Sequence, residues 1–429
     1  MHGHMPPSDT AESVTSGHPD KLCDAISDAI LDECLRIDSN ARVAVETMVK
    51  GIGGEAVIIL AGEVSLNGRT PDYERIARDK ATSIGYVDSR IGMDASSSEL
   101  CDVLTYITTQ SQFISQGVDG DLDTQGAGDQ GVMFGYACIE TEQTEELRGR
   151  FFPLAAALSQ RLTRRLEQVH DEQIIPWIRP DGKSQVTVQI GKKNNAPKGI
   201  STIVIAAQHA PDAGPNWPDE NNLSDEERRL YIEAEIRKHV VEHAIPSSLM
   251  KDPEVIVNGT GSFPDPGGPY ADAGLTGRKI IVDTYGGGRH GGGAFSGKDP
   301  SKVDRSAAYY ARWAAKHVVA SGIAEKCEIQ VAYAIGKSNP VGLRVETFDT
   351  SRSELGTDPD QEISRLLMTH FDWRPAAMIR DLGLKRPIYS ATSSGGHFGR
   401  VPTDEGLFPW ERLDSEKIEA LAGAIRDRE

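Results

Sequence analysis

No apolar run in this sequence is long enough to cross a bilayer, and the opening residues Met-His-Gly-His-Met-Pro-Pro-Ser-Asp hold no apolar core of a secretory signal. Neither a membrane span nor export is therefore expected. Cysteine is sparse: Cys23, Cys34, Cys101, Cys138 and Cys327 are scattered, with no CxxC pair. That dispersal argues against a disulfide framework or a thiolate zinc site and predicts small buried hydrophobes in a reducing, cytoplasmic setting. Basic residues are in deficit, with 46 Lys and Arg against 64 Asp and Glu for a net charge of −18. Such a balance argues against nucleic-acid binding over the whole surface. No low-complexity segment and no direct sequence repeat is visible. What remains is an ordinary soluble composition, 38% hydrophobic and 26% charged, in a 429-residue chain that fits two or three domains.

Against that acidic background stands Tyr285-Gly-Gly-Gly-Arg-His-Gly-Gly-Gly-Ala-Phe-Ser-Gly-Lys298-Asp-Pro-Ser-Lys302-Val-Asp304-Arg305. Seven of its first thirteen residues are glycine, and Arg278 to Arg305 holds six Lys or Arg against three Asp, a local charge of +3. Glycine lets a backbone approach a ligand closely and turn its N–H groups inward, which suits polyphosphate oxygens. Lys298 and Lys302 add point charges, and Asp299 or Asp304 offers a carboxylate to a divalent ion. A glycine run alone is equally the composition of a flexible loop. Its flanks favour the anion reading: Lys279–Tyr285 reads as a buried strand and the residues from Arg305 read as a helix, the context of a phosphate loop. No GxxxxGK[ST] occurs in the segment, so it is not a P-loop.

Elsewhere, Leu22, Ala25, Ile26, Ala29 and Ile30 give an amphipathic helix running to about Ile37, with Pro19 at its first turn. Strands are expected at Ala41–Val49, Ala56–Val64, Gln185–Ile190, Ser201–Gln208 and Cys327–Ile335. Helices are expected near Tyr73–Ile84, Thr144–Val169, Asp225–Ala244, 305–321, Gln361–Phe371 and from Ser415. Thr109 to Gln125 has no period and reads as a long mobile loop, with residues 112–124 a gate over the reacting groups. Mixed α and β with adjoining strands predicts an α+β fold with antiparallel pairs.

Four short segments carry further chemistry. Gly17-His18-Pro19-Asp20-Lys21 puts an imidazole and a carboxylate at a helix start, where an anion and a metal can be met together; taken alone it reads better as a helix cap with ordinary first-turn charges. Gly126-Ala-Gly-Asp-Gln-Gly131 is an acidic turn. Arg179-Pro-Asp-Gly-Lys183 reads as a turn entering a strand. Asp272-Ala-Gly-Leu-Thr-Gly-Arg278-Lys279 leads directly into the glycine segment.

In this order and spacing, GHPDK, GAGDQG, DAGLTGRK and GGGAFSGKDPSKVDRSA resemble the S-adenosylmethionine synthetase (methionine adenosyltransferase) family, over about Glu12 to Trp410. The resemblance implies three similar α/β domains around a pseudo-threefold axis: residues 8–112, 125–262 and 263–410, with a helical tail at 411–429. It implies a homotetramer, a dimer of dimers with active sites at the dimer interface, joining ATP to L-methionine with Mg²⁺ (two per site) and K⁺. By resemblance His18, Lys183, Arg278, Lys298 and Lys302 are catalytic and, with Lys279, surround the triphosphate. Asp181, Gly182, Ser262, Phe263, Asp272, Ala294 and Ile335 complete the ATP contacts, Phe263 stacking on adenine. Glu63, Gln110, Asp129, Asp272 and Lys302 match methionine contacts. Asp20 and Asp304 match Mg²⁺ ligands, and Glu46 the K⁺ ligand. One departure stands out: Gly261-Ser-Phe-Pro-Asp-Pro-Gly-Gly has serine at position 262, where the family carries arginine, and one residue more before the glycine pair. Two other classes compete: an inactive, nucleotide-binding relative, and a plain ATP kinase or ATPase. The first is expected to have lost the charged residues retained here, and the second needs an acceptor-positioning motif that is missing.

Overall fold

The computed structural model describes residues 6–109, 125–191, 197–287 and 289–426. The first third carries β1 (Ser8–Val14), α1 (Pro19–Ile37), β2 (Arg42–Ile52), β3 (Glu55–Ser65), α2 (Tyr73–Ile84), the short β4 (Val87–Asp88) and β5 (Met93–Asp94), and β6 (Cys101–Thr108). The second carries β7 (Gly131–Cys138), α3 (Leu154–Asp171), β8 (Ile178–Ile190), β9 (Pro197–His209), α4 (Asp225–Ile236) and β10 (Glu254–Val257). The last carries β11 (Gly274–Leu275), α5 (Val303–Ala320), β12 (Lys326–Tyr333), β13 (Gly342–Glu346), α6 (Pro359–His370), α7 (Pro375–Asp381) and α8 (Ser415–Arg426). Each third thus repeats one order: a strand, a long helix, an antiparallel hairpin, a second helix. The repeat that the sequence hides is present in the fold.

The three main sheets are β11-β2-β3-β6, β1-β8-β9-β10 and β13-β12-β7. In each, the first strand of a hairpin (β2, β8 or β12) pairs antiparallel with a strand from another third of the chain. The leading strand of every third is therefore donated: β1 to the second sheet, β7 to the third, β11 to the first. In the first two sheets a parallel strand, β6 or β10, covers the hairpin's other edge. The long helices α1, α3 and α5 pack on the three sheets. All five cysteines are buried and unpaired, as their dispersal predicts.

Helix α1 begins at Pro19, as expected, and nearly all of it is buried. Its apolar stripe fills the core. Its opposite stripe is Asp20, Asp24, Asp28 and Asp32, spaced four apart and every one buried. Each accepts backbone N–H groups from the last third: Asp20 from Leu275 at 3.0 Å, Asp24 from Gly277 at 2.8 Å, Asp28 from Gly297 at 2.9 Å, and Asp32 from Tyr389 and Ser390 at 2.9 and 2.8 Å. Asp28 also grips the guanidinium of fully buried Arg305 with both oxygens, at 2.7 and 2.9 Å. One helix thereby fixes four distant points of the chain, one of them in β11.

Three expectations need correction. Lys279–Tyr285 is not a strand: Ile280–Asp283 forms a helical turn, with Asp283 N–H bonding Lys279 O and Thr284 N–H bonding Ile280 O. A short apolar run cannot distinguish the two states, and the turn aims Asp283 at Lys21, 2.5 Å away. The glycine segment thus follows a turn of helix. The helix expected from Thr144 starts at Leu154, because Gly149 and Phe151 take positive φ and Pro153 stands at its N-cap. Arg179–Lys183 lies inside β8, where the register shifts between Ile178 and Gly182, rather than in a turn. The expected gate at 112–124 lies outside the described residues.

Asp28→Ala is expected to lose about 3–5 kcal/mol, since it strands the buried charge of Arg305. Asp79→Ala breaks only the exposed pair to Arg75 and is expected to lose less than about 1 kcal/mol. Urea unfolding of both variants checks this, and equal losses would contradict it.

Candidate active site

The N-terminal approach to α1 is clamped before any charged side chain is placed. Thr15 donates its backbone N–H to Gly182 O of β8 at 3.0 Å, and its hydroxyl accepts the Gly182 N–H at 2.9 Å while donating to Pro180 O at 2.6 Å. Gly17 lies so close to Pro180 that a Cβ there would sit 2.3 Å from its carbonyl oxygen. Tyr86 donates its hydroxyl to Gly17 O. Glu167 accepts the Ser16 N–H at 2.5 Å. His18 follows as the N-cap of α1, its Nδ1 accepting the Asp20 N–H at 3.2 Å.

Around that cap gathers the first charged group. Asp20, 1% exposed, binds Lys279 Nζ at 2.6 Å and has Arg278 Nε at 3.7 Å. Burial opposes its charge, but hydrogen bonds from Lys279 and Leu275 hold its carboxyl below the usual range. Burial, then the charges of Lys279 and Lys183, drive His18 down to about 3. A neutral ring whose Nδ1 already accepts must carry its proton on Nε2, so His18 is a neutral donor. Burial lifts Asp181 to about 7, opposed by Lys183, while exposed Asp272 pushes the same way as burial. Gly182 is the residue that clamps Thr15. Behind these, Lys21 bridges Asp24 at 2.9 Å and Asp283 at 2.5 Å. Burial opposes its charge, but the two carboxylates hold it above the ordinary lysine range.

A second charged group lies along β2 and β3. The segment before α5 bonds β2, Val45 N–H to Gly297 O and Asp299 N–H to Val43 O, and Lys298 bridges to Ala44. Lys298 Nζ meets Asp304 at 2.7 Å. Lys302 meets Asp299 at 2.5 Å. Asp299 is fully engaged: buried, it accepts Val43 and Ser301 N–H groups as well as Lys302. It therefore fixes the loop and is unsuited to a metal, which leaves Asp304. Glu46, Glu63, Ala294, Thr276 and Lys298 line one cavity of about 350 Å³. The turn 126–131 reaches this group: a Cβ on Gly131 would lie 3.4 Å from Asp304 Oδ1. Exposed Ile335 bridges to Ala127, two residues from exposed Asp129.

Gly277 joins the two groups, preceding Arg278 and packing so that a Cβ would lie 2.6 Å from the Ala294 Cβ. Ser262 and Phe263 attach elsewhere, at the end of β9: Phe263 N–H donates to His209 Nε2 at 3.1 Å and Ser262 Oγ lies 3.2 Å from the same atom. Gln110 lies outside the described residues. The sequence reading missed Asp24, Asp28 and Asp32, although aspartate at every fourth position of one helix was available as a signal.

Among the described residues no three His, Cys, Asp or Glu side chains stand together as a metal cage. Magnesium does not require one: it keeps several waters and takes one or two carboxylates plus substrate phosphates. Asp20 and Asp304 fit that donor set, each now neutralised by a lysine that a phosphate could draw away. Glu46 offers a carboxylate at the cavity, which Glu63 also lines, for a larger monovalent ion.

His18 is expected to stay neutral from pH 5 to 8 in the ligand-free protein. Between its ordinary 6.5 and about 3 the unfolded chain holds a proton that the folded chain refuses. Its contribution to stability therefore falls as pH drops through that window. Imidazole ¹⁵N shifts, assigned with His18→Asn, check this; titration near 6.5 would contradict it.

The family model for the S-adenosylmethionine synthetase N-terminal domain matches residues 8–112, that for the central domain residues 124–263, and that for the C-terminal domain residues 266–412. An S-adenosylmethionine synthase of Corynebacterium glutamicum is 46% identical over 434 residues, covering 97% of each chain. Those of Corynebacterium kroppenstedtii and Salinispora arenicola are each 48% identical, over 428 and 432 residues, covering 97% of this chain and 98% of theirs. The three domain matches, in order and over nearly the whole length, make this chain a member of the S-adenosylmethionine synthetase family.

Proposed function

We propose that the chain makes S-adenosyl-L-methionine from ATP and L-methionine, the methionine sulfur attacking C5′ of ATP, and then hydrolyses the released triphosphate to pyrophosphate and phosphate. One observation carries this reading: two groups of lysines and carboxylates, joined at Gly277, in a chain of net charge −18. In each group a carboxylate, Asp20 or Asp304, now neutralises a lysine. Asp20 and Asp304 would hold magnesium and the two lysines would meet the phosphates of a bound triphosphate, each partner of the present ion pairs finding a new counter-charge.

The thioether has no proton to lose, so no general base is needed and catalysis rests on positioning and on charge stabilisation at the leaving group. A neutral His18 with its proton on Nε2 suits that task, donating where negative charge grows on the departing oxygen. Lys183, Arg278 and Lys279 share this end; Lys298 and Lys302 serve the far end. At an effective dielectric of ~20, one lysine 4 Å from a unit charge is worth up to ~4 kcal/mol, roughly a thousandfold if felt only in the transition state. When bound, Mg²⁺ at Asp20 and Asp304, two ions per site, neutralises phosphate charge; K⁺ belongs at Glu46. Glu63, Asp129 and Asp272 are assigned to methionine and its cationic product, together with Gln110.

The same reading gives a homotetramer, a dimer of dimers in which the partner completes each site, working in the cytoplasm. Five buried free thiols support a reducing compartment. Among the described residues no helix is long and apolar enough to cross a membrane.

Methionine-dependent release of pyrophosphate and phosphate tests the activity directly. His18→Asn is expected to slow S-adenosylmethionine formation far more than cleavage of added triphosphate. Lys298→Ala is expected to harm cleavage at least as strongly, since its charge offsets that on the transferred phosphoryl group. Single-turnover product formation beside steady-state triphosphate cleavage separates the two; one common slowing factor for His18→Asn would sink its role. Phe263→Ala is expected to weaken ATP by about 1–3 kcal/mol while sparing free triphosphate. Equal weakening of both ligands, read by calorimetry, would remove Phe263 from the adenine.

A further inference from the structure

Away from both charged groups, arginines of α3 and its surroundings converge on one loop. Arg164 Nη1 donates to Gly395 O at 3.2 Å, Arg150 Nη1 to Gly399 O at 2.6 Å, and Arg400 Nη1 to Ser394 O at 2.7 Å and Gly396 O at 2.9 Å. Arg161, one turn before Arg164, donates to Ala244 O at 2.7 Å. All four are half-buried. Among the described residues none of the four has a carboxylate within ion-pair distance.

The carboxylates that face them are engaged with other donors. Glu167 accepts Ser16 N–H and Ser394 Oγ. Glu142 accepts the N–H groups of Gly149 and Phe151. Glu411 is held by Arg312 and Lys316, and Glu146 acts on Arg161 only from a distance. Burial, and then the neighbouring guanidiniums, lower Arg164 to about 9. Burial lowers Arg400 to about 10, with Glu167 opposing and Arg150 adding to the fall. Each guanidinium has five N–H donors in a rigid fork and spends only part of them on carbonyls.

We infer that Arg150, Arg161, Arg164 and Arg400 form a second oxyanion site at the loop Ser394–Gly399, taking a free phosphate-class anion, inorganic phosphate or pyrophosphate. Several forks converging from different directions suit an anion with several acceptor oxygens. The site is coupled to the first charged group by chain contacts. Glu167 ties Ser394 of the loop to Ser16, two residues before His18. His397 of the loop bonds Asp283 O through its backbone N–H, and Asp283 holds Lys21.

Crystals soaked in tungstate, a heavy tetrahedral oxyanion, locate the site. Anomalous density bounded by the four guanidiniums is expected in the wild type, and none there in Arg164→Gln. In solution, inorganic phosphate and pyrophosphate are titrated separately into protein saturated with a non-hydrolysable ATP analogue and methionine, which occupies the first site. One anion per chain is expected, bound about tenfold more weakly in Arg161→Gln, which loses one charge-assisted contact. Arg161→Gln leaves the three loop-anchoring arginines in place, so it reads anion binding apart from folding. Binding of either anion with this loss supports the site, and the tighter one identifies the source. Tungstate confined to the surroundings of Lys279 and Lys298, or unchanged affinity in Arg161→Gln, overturns it. Density in the crystal without uptake in solution marks an adventitious ion only and overturns it as well.

Discussion

The buried carboxylate stripe of α1 is the constraint on which the rest of the molecule depends. An isolated buried carboxylate is expensive, and it is tolerated only when hydrogen bonds and counter-charges satisfy it. Asp20, Asp24, Asp28 and Asp32 meet that condition by taking N–H groups from residues 275, 277, 297 and 389–390. Apart from Leu275 at the end of the two-residue strand β11, those N–H groups lie outside the sheets, so donor and acceptor solve each other's problem. A stripe with a four-residue period thus converts the straightness of a helix into fixed spacing among loops far away in sequence. Arg278, Lys279 and Lys298 stand next to anchored residues, which is why flexible side chains on a glycine-rich segment can hold defined positions.

Helix α5 answers α1 with the opposite sign. Arg305 meets Asp28, and about two and three turns further on Arg312 and Lys316 share the carboxylate of Glu411 near the end of the chain. Much of the buried charge among the described residues thus lies on two helices, mostly acidic on α1 and basic on α5, with further buried carboxylates such as Asp283, Asp299 and Glu411 on other segments. The cations of the candidate site interrupt that arrangement: Lys183 and Arg278 are exposed, and Lys279 and Lys298 are paired with Asp20 and Asp304.

Much of this was legible in the sequence wherever a local period decided the outcome. Helix α1 starts at Pro19 as its turn chemistry predicts, α2 spans Tyr73–Ile84 as expected, and the β2–β3 hairpin follows its alternation. The glycine, lysine and aspartate motifs pointed to phosphate chemistry only in combination, since each alone reads as well as a loop, a cap or a turn. Legibility ended where a segment takes its state from a distant partner. Strand β1 is mostly exposed and polar, and only β8 makes it a strand. Strand β11 is two residues long. Gly135 of β7 lies against α5 so closely that a Cβ would fall 2.2 Å from Ala311 O, a tertiary demand with no local signature. The acidic stripe of α1 reads locally as a solvated face, and only the loops it anchors turn it inward.

The donation of leading strands fixes an order in time as well as in space. During synthesis β1 is already waiting when β8 emerges, so the second sheet is complete once Val257 is made. The first sheet, although its hairpin is made earliest, keeps an open edge on β2 until Leu275 appears. The third closes last, when β12 reaches back to β7 and β13 forms its outer edge. Closing each of these pairs spans a large part of the chain, the kind of topology that folds slowly. A nascent chain stopped near residue 260 would hold one closed sheet, a first sheet still lacking β11, and only β7 of the third. The cell must therefore protect the β2 edge of the first third for as long as the ribosome takes to translate the second.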